Sequence, residues 1–272
     1  MDELSGKIAF ITGSAGGIGL GIARACAQAG MRIVLSDIDE RELGDSAAQL
    51  TDAGADVLAV PLDVTDREGW ARAAGRVSEE MGPVQLLVNN AGASTFGMRF
   101  EEIGPAVWDR MIGINLTGVY NGVHTFLDAM RAAGGGHIVT TSSMGGLVGM
   151  AALAPYCATK FAVVGLSEVL RAELAEEQIG VSVLCPGGVR SRLWRTSRPV
   201  RGLPDSDTPP SDVSGQSANP AGMDPFEVGL RVLEAVVADE PYILTHPEFR
   251  DAVTERHERL LHGFDRAEAF TK

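Results

Sequence analysis

The feature that most constrains this chain is a regular alternation of short apolar runs with longer amphipathic stretches. The apolar runs predict strands at Lys7–Thr12, Arg32–Ser36, Asp56–Val60, Gln85–Asn89, His137–Ser142, Val181–Cys185 and Tyr242–Leu244. The stretches between them predict helices over Gly19–Ala29, Asp39–Ala53, Arg67–Met81, Pro105–Ala133, Tyr156–Glu177 and Pro225–Val237. Continuous apolar strands that alternate with helices predict an α/β fold, a doubly wound and mostly parallel sheet of about seven strands with helices on both faces.

The length of the chain fits one such domain. It has 272 residues, and single α/β domains run to about 250, so we expect one domain over 1–272. Residues 192–222 contain five prolines and many small polar residues, which predicts an irregular segment that acts as a lid, is disordered or links domains. The tail, 246–272, predicts one charged helix with Thr245 as a possible N-cap and Pro247 in its first turn.

Charge and cysteine content exclude several classes of protein. Lys and Arg number 23 against 36 Asp and Glu, a formal net charge of −13, so no basic face for nucleic acid is expected. No apolar run approaches the ~18 residues of a spanning helix, and Met1-Asp2-Glu3 is unlike the basic start of a secretory signal, so we expect a cytoplasmic protein that does not contact membranes. Cys26, Cys157 and Cys185 form no CxxC pair, and the histidines lack metal-ligand spacing, which predicts no disulfide and no metal site.

A glycine-rich turn, TGSAGGIG at 12–19, joins the first predicted strand to the first helix. Glycines at such a turn let the backbone approach a pyrophosphate, whose charge meets free N–H groups and the positive end of the helix dipole. The spacing is TGxxxGxG. It predicts a Rossmann-like dinucleotide site that includes Gly13, Ser14, Gly17, Ile18 and Gly19.

Asp37 ends the second predicted strand, 24 residues beyond Gly13, near the roughly 20 expected for the carboxylate that holds an adenosine ribose. A 2′-phosphate there would meet a like charge at a cost on the order of 1–4 kcal/mol. This favours NAD over NADP, with Asp37 and Ile38 in the cofactor site. Alternatively, Asp37 only opens the next turn, and Arg41 is close enough in sequence to keep NADP use open.

The next two predicted strands also end in polar or small residues. Ligands bind at the carboxyl ends of strands in open α/β sheets, so we expect cofactor contacts from Asp63, Val64, Asn90, Ala91 and Gly92. Asp63 is equally compatible with a turn or a cap before the helix at Arg67.

Tyr156 and Lys160 are four residues apart on one predicted helix, which places an ammonium beside a phenol. Because a nearby positive charge stabilises phenolate, the pKa of Tyr156 should fall from its usual value near 10, and Tyr156 becomes a proton acceptor. A YxxxK pattern alone is common by chance. Ser143, thirteen residues before Tyr156, and the glycine turn together favour the chemical interpretation.

Taken together, these motifs resemble the short-chain dehydrogenase/reductase family. The resemblance covers residues 5 to about 245 and includes Asp63-Val64, NNAG at 89–92, INLTG at 114–118, YCATK at 156–160 and PGGVRS at 186–191. It implies that Tyr156 is the acid/base, that Ser143 polarises the substrate oxygen, that Lys160 binds the nicotinamide ribose, and that Asn115 anchors a water of a proton relay. It also implies cofactor contacts from Pro186, Gly187, Val189 and Ser191. The basic residue that many NADP-using members carry inside the glycine turn is absent, since Ser14 and Ala15 stand there.

The residues expected near the substrate are mainly apolar or small: Ser143, Met144, Met150, Tyr156, Gly188, Leu193 and Trp194. They predict a bulky, mostly apolar substrate. Arg190, Arg192 and Arg195 are either solvated or receive an anionic substrate group. The tail sequence Tyr242–Glu248 loosely resembles that of members that act on hydrophobic or aryl alcohols.

The sequence therefore predicts an NAD-dependent dehydrogenase that interconverts a secondary alcohol and a ketone. The resemblance further implies a homotetramer or homodimer built on the helices at 105–133 and 156–177. One alternative is an NADPH-dependent carbonyl reductase, which Asp37 argues against. Another is a non-catalytic dinucleotide-sensing protein, which the Asn115, Ser143, Tyr156 and Lys160 set argues against. A hydrolase has no support because no GxSxG is present.

Overall fold

One parallel sheet organises the chain in the computed structural model, which describes residues 3–204 and 222–271. Its seven strands are β1 (Ile8–Thr12), β2 (Arg32–Asp37), β3 (Val57–Pro61), β4 (Leu86–Asn89), β5 (Gly136–Thr141), β6 (Ile179–Cys185) and β7 (Tyr242–Leu244). They lie in the order β3-β2-β1-β4-β5-β6-β7, and every adjacent pair is parallel. The predicted fold class is confirmed, and each predicted strand is present to within two residues at either end.

Helices connect these strands. Over the described residues they are α1 (Gly17–Gln28), α2 (Glu40–Asp52), α3 (Arg67–Glu80), α4 (Pro105–Ile112), α5 (Gly118–Ala132), α6 (Ala154–Glu173), α7 (Leu193–Thr196), α8 (Pro225–Ala238) and α9 (Arg250–Thr271). Asp39 caps α2 and Asp66 caps α3, each by accepting a hydrogen bond from a first-turn backbone N–H. No helix formed by the described residues is both long enough and apolar enough to cross a membrane.

Strand β1 shows why both faces of the sheet are covered. Ala9 and Ile11 point to one face and pack in a cluster with residues of α1, α2 and α8. Phe10 points to the other face, where its ring centroid lies 5.7 Å from that of Trp70 and 4.9 Å from that of Phe126. Because side chains alternate along a strand, one apolar run supplies both cores.

The predicted helix over 105–133 is interrupted in the structure. Gly113–Thr117 form a π-helical turn between α4 and α5. Such a turn carries an extra residue per turn and is found mostly at functional sites. The periodicity of apolar residues does not reveal it, because the apolar face continues on both sides.

The carboxyl-terminal tail also begins differently from the prediction. Thr245 is not an N-cap: its Oγ1 lies 2.7 Å from Nδ1 of His246. Pro247–Phe249 form a 3-10 turn, and α9 begins only at Arg250. The hydroxyl of Thr245 is thus taken up by a neighbouring side chain instead of by the helix.

Candidate active site

The glycine turn lies at the point where the strand order reverses, between β1 and β4. Gly13 has a φ of +63°, and a Cβ on it would lie 2.8 Å from Cα of Ala91. Asn90 Nδ2 donates to the carbonyl oxygens of Thr12 (2.9 Å) and Gly13 (3.1 Å). The turn is therefore held against the end of β4, at the position where open α/β sheets bind dinucleotides.

Asp37 lies beside this turn. Its Oδ2 accepts a hydrogen bond from Ala15 N at 3.0 Å, and its Oδ1 accepts one from Asp39 N at 3.1 Å. Burial raises the pKa of Asp37, and these backbone hydrogen bonds offset only part of the rise. Asp37 shapes the following turn, and it also lines the cavity described below.

Ser143, Tyr156 and Lys160 come together at the end of β5 and the start of α6. Ser143 Oγ accepts a hydrogen bond from Gly145 N at 3.1 Å, and Ser143 is hydrogen-bonded to Tyr156. Lys160 Nζ donates to the carbonyl oxygen of Thr141 at 2.7 Å and lies 5.7 Å from the ring centroid of Tyr156. A hydroxyl, a phenol and an ammonium therefore share one wall of the cavity.

The predicted fall in the pKa of Tyr156 requires correction. Burial raises the pKa of Tyr156 to about 12, and the hydrogen bond with Ser143 opposes this rise only partly. Burial also lowers the pKa of Lys160 to about 8. Desolvation, which the sequence does not reveal, is the largest cause of both shifts.

Asn115 lies in the π turn and is fully buried. Its Oδ1 accepts from Ala93 N at 2.9 Å, and its Nδ2 donates to Ala93 O at 3.0 Å and to Thr159 Oγ1 at 3.1 Å. Asn115 therefore joins the loop after β4 to helix α6, one residue before Lys160. In this structure its side chain holds residues next to the Ser143, Tyr156 and Lys160 cluster.

One cavity of about 1190 Å³ runs from the glycine turn to the Ser143, Tyr156 and Lys160 cluster. It is lined by most of the predicted site residues: Gly13, Gly17, Ile18, Asp37, Ile38, Asp63, Val64, Asn90, Ala91, Gly92, Ser143, Met144, Met150, Tyr156, Lys160, Pro186, Gly187, Gly188, Val189, Ser191 and Leu193. Asp63 accepts hydrogen bonds from the backbone N–H and Oγ1 of Thr65, so it forms a turn, and the cap of α3 is Asp66.

Four predicted site residues lie behind the cavity wall. Ser14 Oγ accepts from Ser36 N at 2.8 Å and so ties the glycine turn to β2. A Cβ on Gly19 would lie 2.3 Å from the carbonyl oxygen of Gly13, so Gly19 permits close packing beneath the turn. Asn115 is the third. Trp194 is the fourth, because its indole is buried in a cluster with Phe96, Leu153 and Cys157.

The segment after β6 is more ordered at its start than the sequence indicated. Leu193–Thr196 form the short helix α7, which turns Leu193 toward the cavity and Trp194 away from it. The predicted lid, 192–222, continues through 205–221, which lie outside the described residues. Arg190 pairs with Asp224.

His246 and Glu42 are two of the cavity-lining residues that sequence reasoning missed. His246 accepts a hydrogen bond from Gly187 N at Nδ1 (3.0 Å), and its Nε2 lies 3.2 Å from Gly188 O. Glu42 on α2 lies 2.8 Å from Arg192. The conspicuous tail sequence around His246 was a signal for that residue. The pair between Glu42 and Arg192 joins distant segments of the chain, so no local sequence pattern reveals it.

The fold and this site define a class of protein, an oxidoreductase that uses a nicotinamide dinucleotide. The profile of the family described as short chain dehydrogenase matches residues 7–201. The chain belongs to this family. Among the described residues, no group of three His, Cys, Asp or Glu side chains is placed to hold a metal ion.

Individual relatives agree with this assignment. The chain is 35% identical over 269 residues to the C alpha-dehydrogenase of Sphingobium sp., covering 96% of this chain and 87% of that one. It is 35% identical over 247 residues to a 3-alpha-(or 20-beta)-hydroxysteroid dehydrogenase of Mycobacterium bovis, covering 91% and 88%. A solved short chain dehydrogenase/reductase from Burkholderia phymatum, in complex with NAD, is 33% identical, covers 97% of both chains and has a TM-score of 0.89.

Proposed function

We propose that this protein is an NAD-dependent dehydrogenase that interconverts a secondary alcohol and a ketone. The observation that carries the proposal is the hydrogen-bonded Ser143 and Tyr156 pair beside the Lys160 ammonium, on the wall of a cavity continuous with the glycine turn. A hydroxyl pair at one point of a cavity is suited to hold a carbonyl or carbinol oxygen and to move its proton.

The residues that line the cavity fit a nicotinamide dinucleotide. The close approach of Gly13 to Ala91 leaves backbone N–H groups and the start of α1 for a diphosphate. Asp37, with both oxygens able to accept a further hydrogen bond, is suited to a ribose. We assign the nicotinamide end to Lys160 and Ser191. When bound, the nicotinamide accepts or supplies the hydride.

Tyr156 and Ser143 manage the proton. With a pKa raised to about 12, Tyr156 holds its proton at neutral pH, so it is ready to donate to a ketone oxygen that Ser143 also contacts. In the oxidation direction Tyr156 first releases its proton to bulk solvent, and the phenolate then accepts the hydroxyl proton of the alcohol. Lys160, whose pKa of about 8 leaves it mainly charged at pH 7, is the cation placed to stabilise the phenolate.

Cofactor choice rests on Asp37. Its carboxylate lies at the end of β2, where a 2′-phosphate would be repelled. The cation of α2, Arg41, does not offset this, because it is paired with Glu42 and lies 3.4 Å from Asp45. NAD is therefore the proposed cofactor.

The substrate is proposed to be bulky and mostly apolar. Met144, Met150 and Leu193 line the end of the cavity beside Tyr156, together with Phe96 and Phe249. The hydroxysteroid and C alpha-dehydrogenase relatives are named as dehydrogenases and share most of this chain's length. Their names support an alcohol as substrate.

The test is a turnover assay with a panel of secondary alcohols, from 2-propanol to 1-arylethanols and hydroxysteroids, each with NAD and with NADP. We expect NADH formation that increases with apolar bulk. A higher kcat/KM with NADP would favour the carbonyl reductase alternative. Cofactor binding without turnover of any alcohol or ketone would favour a dinucleotide-sensing protein.

We also propose that the segment 192–222 covers the substrate, as the sequence indicated. Leu193, Thr196 and Pro199 of its described part line the cavity. Hydrogen exchange across the segment should slow when NAD and an alcohol are added together. Exchange that stays equally fast in the ternary complex would leave the segment without this role.

A homotetramer or homodimer remains the proposed assembly. Trp108 on α4, Tyr120 on α5 and Val169 on α6 are 37%, 48% and 53% exposed in the single chain. These helices are the ones expected to associate. Light scattering gives the mass directly, and a monomer at micromolar concentration would contradict the proposal.

A further inference from the structure

Ala15 in the glycine turn is the centre of a polar cluster that reaches three other elements. Its N–H donates to Asp37 Oδ2 at 3.0 Å. Its carbonyl oxygen accepts from Ser46 Oγ of α2 at 3.1 Å and from Arg192 Nη2 at 3.3 Å. Arg192 therefore binds the carbonyl oxygen of the same residue whose N–H binds Asp37. Asp37 is the carboxylate proposed to hold the adenosine ribose.

The approach of Arg192 to this turn is close. A Cβ on Gly16 would lie 2.9 Å from Arg192 Nη2, so only a glycine leaves the guanidinium its present place. The glycine turn itself carries Ser14 and Ala15 where a basic residue would indicate a 2′-phosphate. The tertiary structure thus brings a cation to this place from a segment 177 residues away.

Glu42 forms an ion pair with the guanidinium of Arg192. Its Oε2 lies 2.8 Å from Arg192 Nη2, and its side chain is only 17% exposed, against 45% for Arg192. The hydrogen bond from Arg192 is the main cause that lowers the pKa of Glu42. Glu42 also pairs with Arg41. Both Glu42 and Arg192 line the cavity, so their ion pair links α2 to the segment after β6 across the cofactor cleft.

We propose that the Glu42–Arg192 ion pair is a second determinant of dinucleotide selectivity. Glu42 engages a guanidinium that contacts the glycine turn, and its carboxylate lines the same cavity as that of Asp37. A 2′-phosphate therefore meets two carboxylates and a guanidinium already engaged. Neutralising Glu42 leaves Arg192 available for a charge-assisted contact with that phosphate. The inference rests on the proposed dinucleotide site and deepens it.

The test measures binding of NADH and NADPH by fluorescence titration, which needs no turnover. In Glu42→Gln we expect the ratio of the NADPH to the NADH dissociation constant to fall by ~10-fold, about 1.4 kcal/mol, mainly through tighter NADPH. The double variant E42Q/R192A should lose that gain. The double variant E42Q/R41A should keep it, because Arg41 does not contact the glycine turn.

Asp45→Asn is the matched control, since it removes one negative charge from the same helix without touching Arg192. It should leave the ratio within about twofold, as expected for an exposed ion pair. An unchanged ratio in E42Q, or tighter NADPH binding that persists in E42Q/R192A, would overturn the inference. In either case, NADH binding by the unmodified protein would still support the proposed dinucleotide site. Failure of the unmodified protein to bind NADH would overturn both.

Discussion

Both edges of the sheet hold buried titratable groups, and the cavity described above lies at the carboxyl edge. At the amino edge, His137 Nε2 lies 2.8 Å from Ser182 Oγ, and its Nδ1 lies 3.9 Å from Asp239. Arg171 in turn holds Asp239 at 2.7 Å. At the carboxyl edge, Lys160 is equally buried, but its ammonium lines the cavity.

The comparison shows that a shifted pKa does not by itself mark a functional site. Burial lowers the pKa of His137 to about 4 and that of Lys160 to about 8 by the same mechanism. His137 faces protein atoms, so its shift makes the free energy of unfolding depend on pH. Lys160 and Tyr156 face space that a ligand can fill, so their shifts bear on chemistry.

The largest effect is expected from Tyr156→Phe. The change removes the hydroxyl that exchanges the proton and preserves the ring, so kcat should fall by at least ~100-fold, with NADH affinity and thermal midpoint nearly unchanged. Steady-state kinetics and fluorescence titration on the same preparation measure this. Wild-type turnover in the variant would refute the mechanism.

The second prediction concerns the opposite edge and pH. The pKa of His137 falls from 6.5 to about 4 on folding, so the unfolded state binds the extra proton between these values. The resulting stability is fully present above pH 6.5 and is lost as the pH falls toward 4, by up to about 3 kcal/mol. Urea unfolding at several pH values measures this slope.

His137→Gln provides the contrast with the carboxyl edge. Between pH 6.5 and pH 4, the free energy of unfolding of the variant should decrease less than that of the unmodified protein, whatever its overall stability. Its kcat at pH 7.5 should equal that of the unmodified protein. If kcat falls as in Tyr156→Phe, then the two edges are not functionally separate.

A third, smaller effect is expected from Asp37→Ala. NADH affinity should fall because the ribose loses its hydrogen-bond acceptor. NADPH affinity should change little or rise because the 2′-phosphate is no longer repelled by a carboxylate. The preference for NADH over NADPH should therefore decrease by ~10-fold. Dissociation constants for both cofactors measure this. An unmodified protein that prefers NADPH would show that the assignment of Asp37 is wrong.

The smallest effect is expected from His246. Its ring bonds Gly187 and Gly188 of the cavity wall, and one lost hydrogen bond is worth about 0.5–1.5 kcal/mol. His246→Ala should therefore raise the KM for NAD by roughly 3- to 10-fold with a smaller change in kcat. His246→Asn, whose amide oxygen can accept from Gly187, should recover part of the loss. Equal KM values in the two variants would argue against this role.

Much of the fold and of the site could be predicted from the sequence. The seven strands follow from local apolar runs, and their parallel pairing, which the structure confirms, follows from the alternation with helices. Ser143, Tyr156 and Lys160 line one cavity, as their motif spacing indicated. The π turn at Gly113–Thr117 was missed because the apolar periodicity continues through it.

Sequence by itself determined the alternating fold, the glycine turn and the order of the motifs, because each depends on residues close together along the chain. Tertiary structure alone decided that the pKa of Tyr156 rises, that Trp194 supports the cavity wall, and that Arg192 lies against the glycine turn with Glu42. Desolvation depends on everything packed around a group, and contacts between distant segments depend on how the chain closes. Neither quantity is present in any local pattern.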